Sequence, residues 1–415
     1  MWQNARCIVC VDMNAFFAAI EQREQASLRN LPVAVTNGER GSCVITCSYE
    51  ARAFGIMTGM RLAEAFSRCE KLQVCRSRPY LYAKVSTQLM QLLTNFSPDI
   101  EVFSIDEAFL DMSKVRHGYD SAIDLARAIQ QSIYHELSLP ASVGIGADKT
   151  IAKYAAKYKK PFGITVIPPD RTATVLGPLA VDDLCGVGPG IKKFLARYGA
   201  HTCADVAKMP GAILANRFGN FGRRVWLMCQ GSDPDPVRKH NALAKSMGHS
   251  KILPPGCHQL SVLRRYLCAL AFKLSERMQV HQVWSRQLQL ALHYQHRDSK
   301  VVVYSFQEPM HDYATFSQVV DQGLTQLWRA NKIVRKVHVH ANSLVRARQR
   351  DLFSKPPEIE SSQPLQALMR KINRTFGDNT IQFACIKVST HSEVIAPSWR
   401  PEGSRNHLQT TVDVE

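Results

Sequence analysis

The chain has 415 residues, which predicts a large core divided into two to four domains, and its composition, 45% hydrophobic and 21% charged, is typical of a soluble protein. No apolar run of about 18 residues occurs, which excludes a membrane-spanning helix, and residues 1–6 lack a signal-peptide pattern, so a cytoplasmic location is expected. The formal net charge of +17 indicates a polyanionic partner, nucleic acid before an anionic membrane.

The first predicted element is a strand over Cys7–Val11, a continuous apolar run that ends at Asp12. Its two cysteines form the one C-x-x-C pair among the twelve cysteines of the chain. Two thiols in a buried strand fit this pattern better than a zinc site, as expected in a reducing cytosol. A helix follows, and Asn14 is suited to cap its N-terminus.

The next predicted strands lead to a second run that carries carboxylates. Strands over 31–35 and 42–46 precede a hairpin over Ile100–Met112, and Asp106 and Glu107 interrupt the apolar residues of that hairpin. Neighbouring side chains of a flat strand point to opposite faces. Both carboxylates can therefore face one site only from a turn or a bulge.

Carboxylates at the ends of apolar strands predict a metal site. A charge near an apolar core is unfavourable unless a cation or a polar partner compensates it. We therefore expect Asp12, Asp106 and Glu107 to meet around a hard divalent cation, above all Mg²⁺. Such a cluster suits two-metal phosphoryl transfer. A solvated acidic turn is the alternative, but it leaves the flanking apolar runs unexplained.

The rest of the first 170 residues predicts an α/β arrangement. Helices are expected over 81–95 and 121–137, and a strand over Ala141–Gly146 leads into a helix over 150–158.

An all-helical segment is predicted over 181–231, and it contains a helix-hairpin-helix signature. The signature consists of three spaced glycines and two following lysines, Gly186, Gly188, Gly190, Lys192 and Lys193. Glycines let the backbone approach a phosphate, which the N–H groups of the next helix can bind. A plain helix-ending turn is the alternative, and the regular glycine spacing counts against it.

The positive charge is concentrated after a linker at 231–236. Residues 238–350 hold 18 Lys and Arg but 5 Asp and Glu, a balance of +13 within the total of +17. A helix over 260–280 and alternating strands over 287–294 and 336–341 predict an α+β domain with one solvated sheet face. This concentration favours contact with nucleic-acid phosphates over a merely soluble basic surface.

Five motifs, in order along the chain, resemble those of the Y-family (translesion) DNA polymerases, the group that contains bacterial DNA polymerase IV and the UmuC subunit of polymerase V. They are Val11–Phe17, Ser48–Gly55, Ser104–Phe109, Ser142–Gly146 and Lys159–Gly163. The resemblance implies an α+β multidomain, right-hand polymerase fold. Its parts would be a ferredoxin-like palm over 1–22 and 75–170, small fingers over 23–74, a helical thumb with the helix-hairpin-helix over 171–231, a linker over 232–242, an α+β little finger over 243–347 and a tail with a clamp-binding motif over 348–415.

The resemblance also implies roles for single residues. The catalytic metal ligands would be Asp12, Asp106 and Glu107, with the Met13 carbonyl as a further ligand, for two Mg²⁺ ions that Mn²⁺ could replace. The nucleotide would contact Phe16, Phe17, Thr46, Tyr49, Arg52 and Lys160, with Phe17 as the steric gate against a ribose 2′-hydroxyl. The glycine hairpin with its two lysines would bind DNA, and Gln349, Leu352 and Phe353 would bind a sliding clamp.

The implied activity is template-directed addition of dNTPs to a primer, with error-prone translesion synthesis in DNA damage tolerance, as in an SOS response. Two other functions stay open: a non-catalytic DNA-binding protein of the same fold, against which the intact carboxylates count, and a nuclease that uses the same metals. Ser48–Gly55 resembles polymerase IV, whereas the tail, with Leu368–Asn373, resembles UmuC. Whether UmuD-like accessory subunits take part therefore also stays open.

Overall fold

The structure, a computed structural model, describes residues 5–37, 43–239, 244–295, 298–330, 332–346, 362–377 and 380–386. Described residues up to 239 form one compact unit, and those from 244 onward form a second. None of the helices in these ranges combines the length and hydropathy that crossing a membrane requires.

Two sheets carry the strands of the first unit. In chain order the strands are β1 (Ile8–Met13), β2 (Val33–Thr36), β3 (Val44–Cys47), β4 (Gln73–Arg76), β5 (Ile100–Val102), β6 (Glu107–Asp111), β7 (Ala141–Gly146) and β8 (Ile164–Val166). One sheet has the order β5-β6-β1-β7-β8 and the other β3-β2-β4. Neighbours among β5, β6, β1 and β7 are antiparallel, in the strand order of a ferredoxin-like fold, which confirms the α+β class that the resemblance implies. The α/β arrangement predicted from the residues alone is wrong for this sheet, since of its described pairs β7 and β8 alone are parallel.

The earlier helices of the first unit connect the strands of these sheets, and the later ones follow the last strand. They are α1 (Phe16–Glu24), α2 (Tyr49–Ala53), α3 (Leu62–Arg68), α4 (Pro79–Leu93), α5 (Ala122–Leu137), α6 (Lys149–Tyr158), α7 (Thr172–Leu176), α8 (Pro189–Ala196), α9 (Cys203–Lys208) and α10 (Gly211–Cys229). Side chains of Ser121 and Asp148 accept a backbone N–H in the first turns of α5 and α6, so local sequence fixes where these helices begin.

Strand β1 is buried on both faces, and this decides where a polar site can form. Val9 and Val11 belong to the core that includes residues of α4 and α5. Ile8 and Cys10 belong to a second cluster, with Ala152 of α6. Because side chains alternate along a strand, Asp12 lies on the face that α6 covers.

The helical part of the first unit surrounds a separate core, made by α7 to α10, the turns between them and one side of α6. Leu176, Leu195, Val206 and Val225 are buried there. Helix α10 is interrupted at Gly219, whose φ of 63° lies in the left-handed region that glycine adopts without strain.

The second unit consists of a four-stranded sheet and helices. Its elements are β9 (Ser246–Ile252), α11 (Leu260–Val280), β10 (Trp284–Tyr294), β11 (Ser299–Met310), α12 (Tyr313–Leu327), β12 (Val334–Val345) and α13 (Ser362–Phe376). The sheet is antiparallel with the order β11-β10-β12-β9. Leu288, Leu290 and Leu292 are buried in the core, whereas Gln287 and Gln289 lie on the other face, as the alternation predicts.

One local expectation is wrong, because Asn14 does not cap α1. The residue before α1 is Ala15, which has a left-handed φ of 46° and a methyl side chain that cannot accept a hydrogen bond. The Asn14 side chain instead bonds to Ser142 and to the backbone of Phe162. Its position at the end of β1 directs it across the sheet rather than toward the helix.

Candidate catalytic site

The structure brings Asp12, Asp106 and Glu107 to one corner of the five-stranded sheet. Asp12 is paired with Glu107 in the register of β1 and β6, so both side chains lie on one face. Asp106 lies in the turn before β6, and its carbonyl accepts a hydrogen bond from the Met13 N–H at 2.9 Å. The turn thus separates the two adjacent carboxylates, which a flat strand would direct to opposite faces.

Burial and the nearby Asp12 disfavour the ionised forms of Asp106 and Glu107. Burial raises the pKa of Asp106 above its ordinary value, and the charge of Asp12 raises it further, while the Ser104 hydroxyl that donates to Asp106 opposes this. Burial likewise raises the pKa of Glu107; Lys153 counteracts it and Asp12 reinforces it. A cation placed among these groups would therefore be bound favourably.

Two lysines supply that positive charge in this structure. The Lys160 ammonium pairs with Asp12, and the Lys153 ammonium pairs with both oxygens of Glu107. Lys153 also lies 4.5 Å from the centre of the Phe103 ring. The Cys10 thiol donates to Glu107 over 3.3 Å.

Lys153 was missed by the sequence analysis, although a usable signal exists. Lys149, Lys153 and Lys157 are spaced four residues apart on α6, which places them on one helical face. That face includes the residue that meets Glu107. A basic helical stripe next to a carboxylate cluster could have pointed to this partner.

The donor chemistry of the corner fits a hard divalent cation, because carboxylate oxygens are the ligands that Mg²⁺ prefers. In the described residues, no group of three or more His, Cys, Asp or Glu side chains is arranged to hold a metal ion. The side chains are instead in an ion-paired arrangement, with lysine ammonium groups compensating Asp12 and Glu107. The Met13 carbonyl lies at the same end of β1.

The two aromatic residues at the start of α1 differ in their surroundings. Phe16 is 3% exposed and belongs to the core. Phe17 is partly exposed, and its ring stacks on Tyr82 with centroids 4.3 Å apart and planes at 10°. The N-terminus of α1 lies beside Asp12, and the partial positive charge of a helix N-terminus favours an anion there.

The other residues expected to contact a nucleotide lie near the second sheet. Thr46 is in β3, and Tyr49 begins α2 after the capping residue Ser48. The Arg52 guanidinium is 4.6 Å from the centre of the Tyr49 ring, a cation–π contact, and the Arg52 side chain is exposed. The structure thus joins Tyr49 and Arg52 to each other, whereas Lys160 contacts Asp12.

The glycine hairpin has an open backbone. Gly186 has a φ of 90°, and a Cβ added at Gly188 or Gly190 would meet no atom within 4 Å. Gly188 precedes α8, which begins at Pro189.

The two lysines after the hairpin differ in their contacts. Lys192 pairs with Asp182 at 2.7 Å, and Lys193 is exposed. The proposed clamp motif, Gln349, Leu352 and Phe353, lies outside the described residues.

Two family models match the chain. The impB/mucB/samB family matches residues 11–157, and the C-terminal domain of that family matches residues 244–352. Together the two matches take in more than half of the sequence.

Relatives named DNA polymerase IV are found in several bacteria. DNA polymerase IV of Photorhabdus laumondii is 38% identical over 274 residues, which are 66% of this chain and 78% of that protein. DNA polymerase IV of Moorella thermoacetica is 33% identical over 389 residues, 91% of this chain and 95% of that protein. DNA polymerase IV of Streptococcus sanguinis is 34% identical over 296 residues, 70% of this chain and 83% of that protein.

The fold also matches a solved structure, a Y-family DNA polymerase chimera of Dbh and Dpo4. The TM-score is 0.71 at 24% identity, over 82% of this chain and 99% of that chain. This similarity confirms the predicted multidomain fold class.

Proposed function

The chain belongs to the impB/mucB/samB family, the Y-family DNA polymerases, and we propose that it extends a primer by two-metal phosphoryl transfer at Asp12, Asp106 and Glu107. It is a DNA-directed DNA polymerase. The observation that carries the proposed mechanism is the convergence of these three carboxylates at one corner of the sheet.

We assign the polymerase domains to the sheets and helices described above. The five-stranded sheet with α4 to α6 would be the palm, over 1–22 and 75–170, and the β3-β2-β4 sheet with α2 and α3 the fingers, over 23–74. Helices α7 to α10 would be the thumb, over 171–231. Residues 232–242 would be the linker, and the sheet of the second unit the little finger, over 243–347.

Asp12, Asp106 and Glu107, with the Met13 carbonyl, would hold two Mg²⁺ ions, or Mn²⁺ in their place. Bound divalent ions polarise the attacking and leaving oxygens and neutralise charge that develops between them. The residues of the chain prepare this site. Burial, and to a lesser extent the charge of Asp12, raise the pKa values of Asp106 and Glu107, so their ionised forms need compensating charge.

The nucleotide would bind between the start of α1 and the lysine that now contacts Asp12. Lys160 would exchange its contact with Asp12 for the triphosphate, whose charge is larger. The backbone N–H groups near Phe16 and Phe17 would receive the same triphosphate. Phe17 would occlude the position of a ribose 2′-hydroxyl, while Thr46, Tyr49 and Arg52 would contact the phosphates from the fingers.

DNA would be held on two surfaces. The hairpin of Gly186, Gly188 and Gly190, with Lys192 and Lys193, would bind backbone phosphates, and the polar sheet face of the second unit would bind more of them. Lys192 would have to leave Asp182 to do so. We also propose translesion synthesis as the biological role, with a sliding clamp as a partner through Gln349, Leu352 and Phe353. UmuD-like subunits stay an alternative partner.

Primer extension tests the catalytic assignment. Asp106→Ala should slow dNTP addition roughly a hundredfold or more, because a preorganised charged group at the reacting centre is lost. The matched control is Asp120→Ala, which removes an exposed carboxylate of the same unit. Equal extension by Asp106→Ala and the wild-type protein would contradict the assignment, and shortening of the primer in place of lengthening would favour the nuclease.

A further inference from the structure

Four side chains, Phe17, Glu21, Arg78 and Tyr82, are in contact and include an ion pair whose carboxylate is buried. Phe17 and Glu21 are four residues apart on α1, and Arg78 and Tyr82 are four residues apart at the start of α4. The Tyr82 ring stacks on Phe17, and its hydroxyl donates to Glu21. The Arg78 guanidinium donates to both Glu21 oxygens, at 3.0 and 2.5 Å.

Burial of the Glu21 carboxylate is unfavourable unless nearby groups hydrogen-bond to it. Glu21 is 4% exposed and Tyr82 is fully buried, whereas the Arg78 side chain is about half exposed. A carboxylate that is removed from water stays ionised only if donors replace the lost hydration. Arg78 and Tyr82 are those donors, so Glu21 holds both of them in place.

The Tyr82 ring is held at two places: its face stacks on Phe17, and its hydroxyl donates to Glu21. The hydrogen bond with Glu21 raises the pKa of Arg78 above its ordinary value. Burial, and then the hydrogen bond with Glu21, raise the pKa of Tyr82, so the phenol stays protonated and keeps donating. A charge-assisted hydrogen bond of this kind is about twice as strong as a neutral one.

We propose that Glu21 and Arg78 are positioning residues for sugar selection, which act through Tyr82 on Phe17. This inference rests on the proposed function, since it requires Phe17 to be the ring that meets the sugar. A ring excludes a 2′-hydroxyl only if it cannot recede, and displacements of about 1 Å are enough to change a site. Tyr82 limits the movement of Phe17, and the ion pair limits the movement of Tyr82.

A purely structural role is the competing explanation, because the same contacts join α1 to α4. Loosening the two helices would weaken the use of deoxynucleotides and ribonucleotides together. Loss of positioning would instead favour the ribonucleotide selectively. The ratio of the two kcat/KM values therefore separates the two roles.

The experiment compares Glu21→Gln with the wild-type protein in single-nucleotide incorporation. We expect the ratio of kcat/KM for a dNTP to that for the matching rNTP to fall roughly tenfold, the equivalent of about 1.4 kcal/mol. The change should come from a higher rNTP value, with the dNTP value conserved. Tyr82→Phe, which keeps the ring but removes the hydroxyl, should shift the ratio in the same direction.

The control is Asp321→Asn, the same chemical change at another two-point ion pair, where Arg264 donates to Asp321 at 2.6 and 2.8 Å in the second unit. It should leave the ratio unchanged. Thermal unfolding of each variant checks that the chain folds. If Glu21→Gln does not fold, the same ratio of kcat/KM values is measured in Tyr82→Phe and Arg78→Lys, and an unchanged ratio in both would contradict the inference.

Phe17→Ala separates failure of this inference from failure of the proposed function. Unchanged selectivity in Phe17→Ala would remove Phe17 as the gate. If Phe17→Ala admits ribonucleotides but Glu21→Gln and Tyr82→Phe leave the ratio as in wild type, the positioning role is wrong. In the double variant, Glu21→Gln should add nothing to Phe17→Ala, and an independent further loss would also overturn the inference.

Discussion

Asn14 lies where three segments meet, and its amide bonds to two of them. Its Nδ2 donates to the Ser142 hydroxyl at 3.0 Å, and its Oδ1 accepts from the Phe162 N–H at 2.7 Å. Asn14 is 1% exposed and Ser142 is fully buried, so water cannot replace the bond between them. Phe162 is two residues from Lys160, so this amide fixes the backbone of the segment that places an ammonium beside Asp12.

Asn14→Ala should therefore affect both stability and nucleotide binding. Leaving the buried Ser142 hydroxyl without its Asn14 partner should cost about 1–3 kcal/mol of unfolding free energy. The KM for dNTP should rise more than kcat falls, because Lys160 loses its support. Urea denaturation and steady-state kinetics measure these effects. Asn95→Ala, at an exposed asparagine, is the control, and equal kinetics in both variants would contradict the role given to Asn14.

At the scale of elements, α6 packs on β7 so closely that one position admits only glycine. A Cβ at Gly144 would lie 2.1 Å from the Ala156 nitrogen and 2.3 Å from the Ala152 carbonyl oxygen. Both are backbone atoms of α6, which cannot move aside as a side chain can. This approach brings Lys153 to Glu107.

Gly144→Ala should consequently lower the unfolding free energy of the first unit by about 3 kcal/mol or more, because overpacking forces the helix away from the sheet. Activity should fall with it, since Lys153 moves together with α6. The control is Gly118→Ala, where an added Cβ meets no atom within 4 Å. If the denaturation curves of the two variants coincide, α6 can move to accept a Cβ at position 144, and the prediction is wrong.

The sequence was sufficient to predict most elements but not the contacts between them. Apolar periodicity and end signals predicted β1, β7 and α11, because these depend on neighbouring residues. The hairpin at 100–112 followed from the need to separate Asp106 and Glu107. The partner of Glu21 could not be predicted, because Arg78 reaches it from a distant segment through helix packing. Lys153 also reaches Glu107 from a distant segment, and its one signal in the sequence was the basic face of α6.

At the scale of the whole molecule, positive charge is unevenly distributed along the sequence. Residues 238–350, most of which belong to the second unit, carry a net charge of +13. The polar face of its sheet includes Lys336, His338 and His340 on β12. Five acidic residues in this stretch cannot neutralise that field, so attraction to phosphates should dominate DNA affinity.

Affinity for a primer-template duplex should fall about a hundredfold or more between 50 and 200 mM salt, through release of counterions. Lys336→Gln should lower the slope of log affinity against log salt by about one, without changing sequence preference. Fluorescence anisotropy at several salt concentrations measures both quantities. Lys114→Gln, at an exposed lysine of the first unit, is the comparison. An affinity that is insensitive to salt would contradict a phosphate-dominated interface.

Strand β1 lies in the middle of its sheet and is hydrogen-bonded on both sides, to β6 and to β7. Amides in such a strand exchange with solvent only when the surrounding sheet opens as a cooperative block. Fraying of the outer strands would leave Asp12 opposite Glu107. On gentle warming, the outer strands should therefore open first, and polymerase activity should be lost only when the pairing of β1 with β6 and β7 is lost.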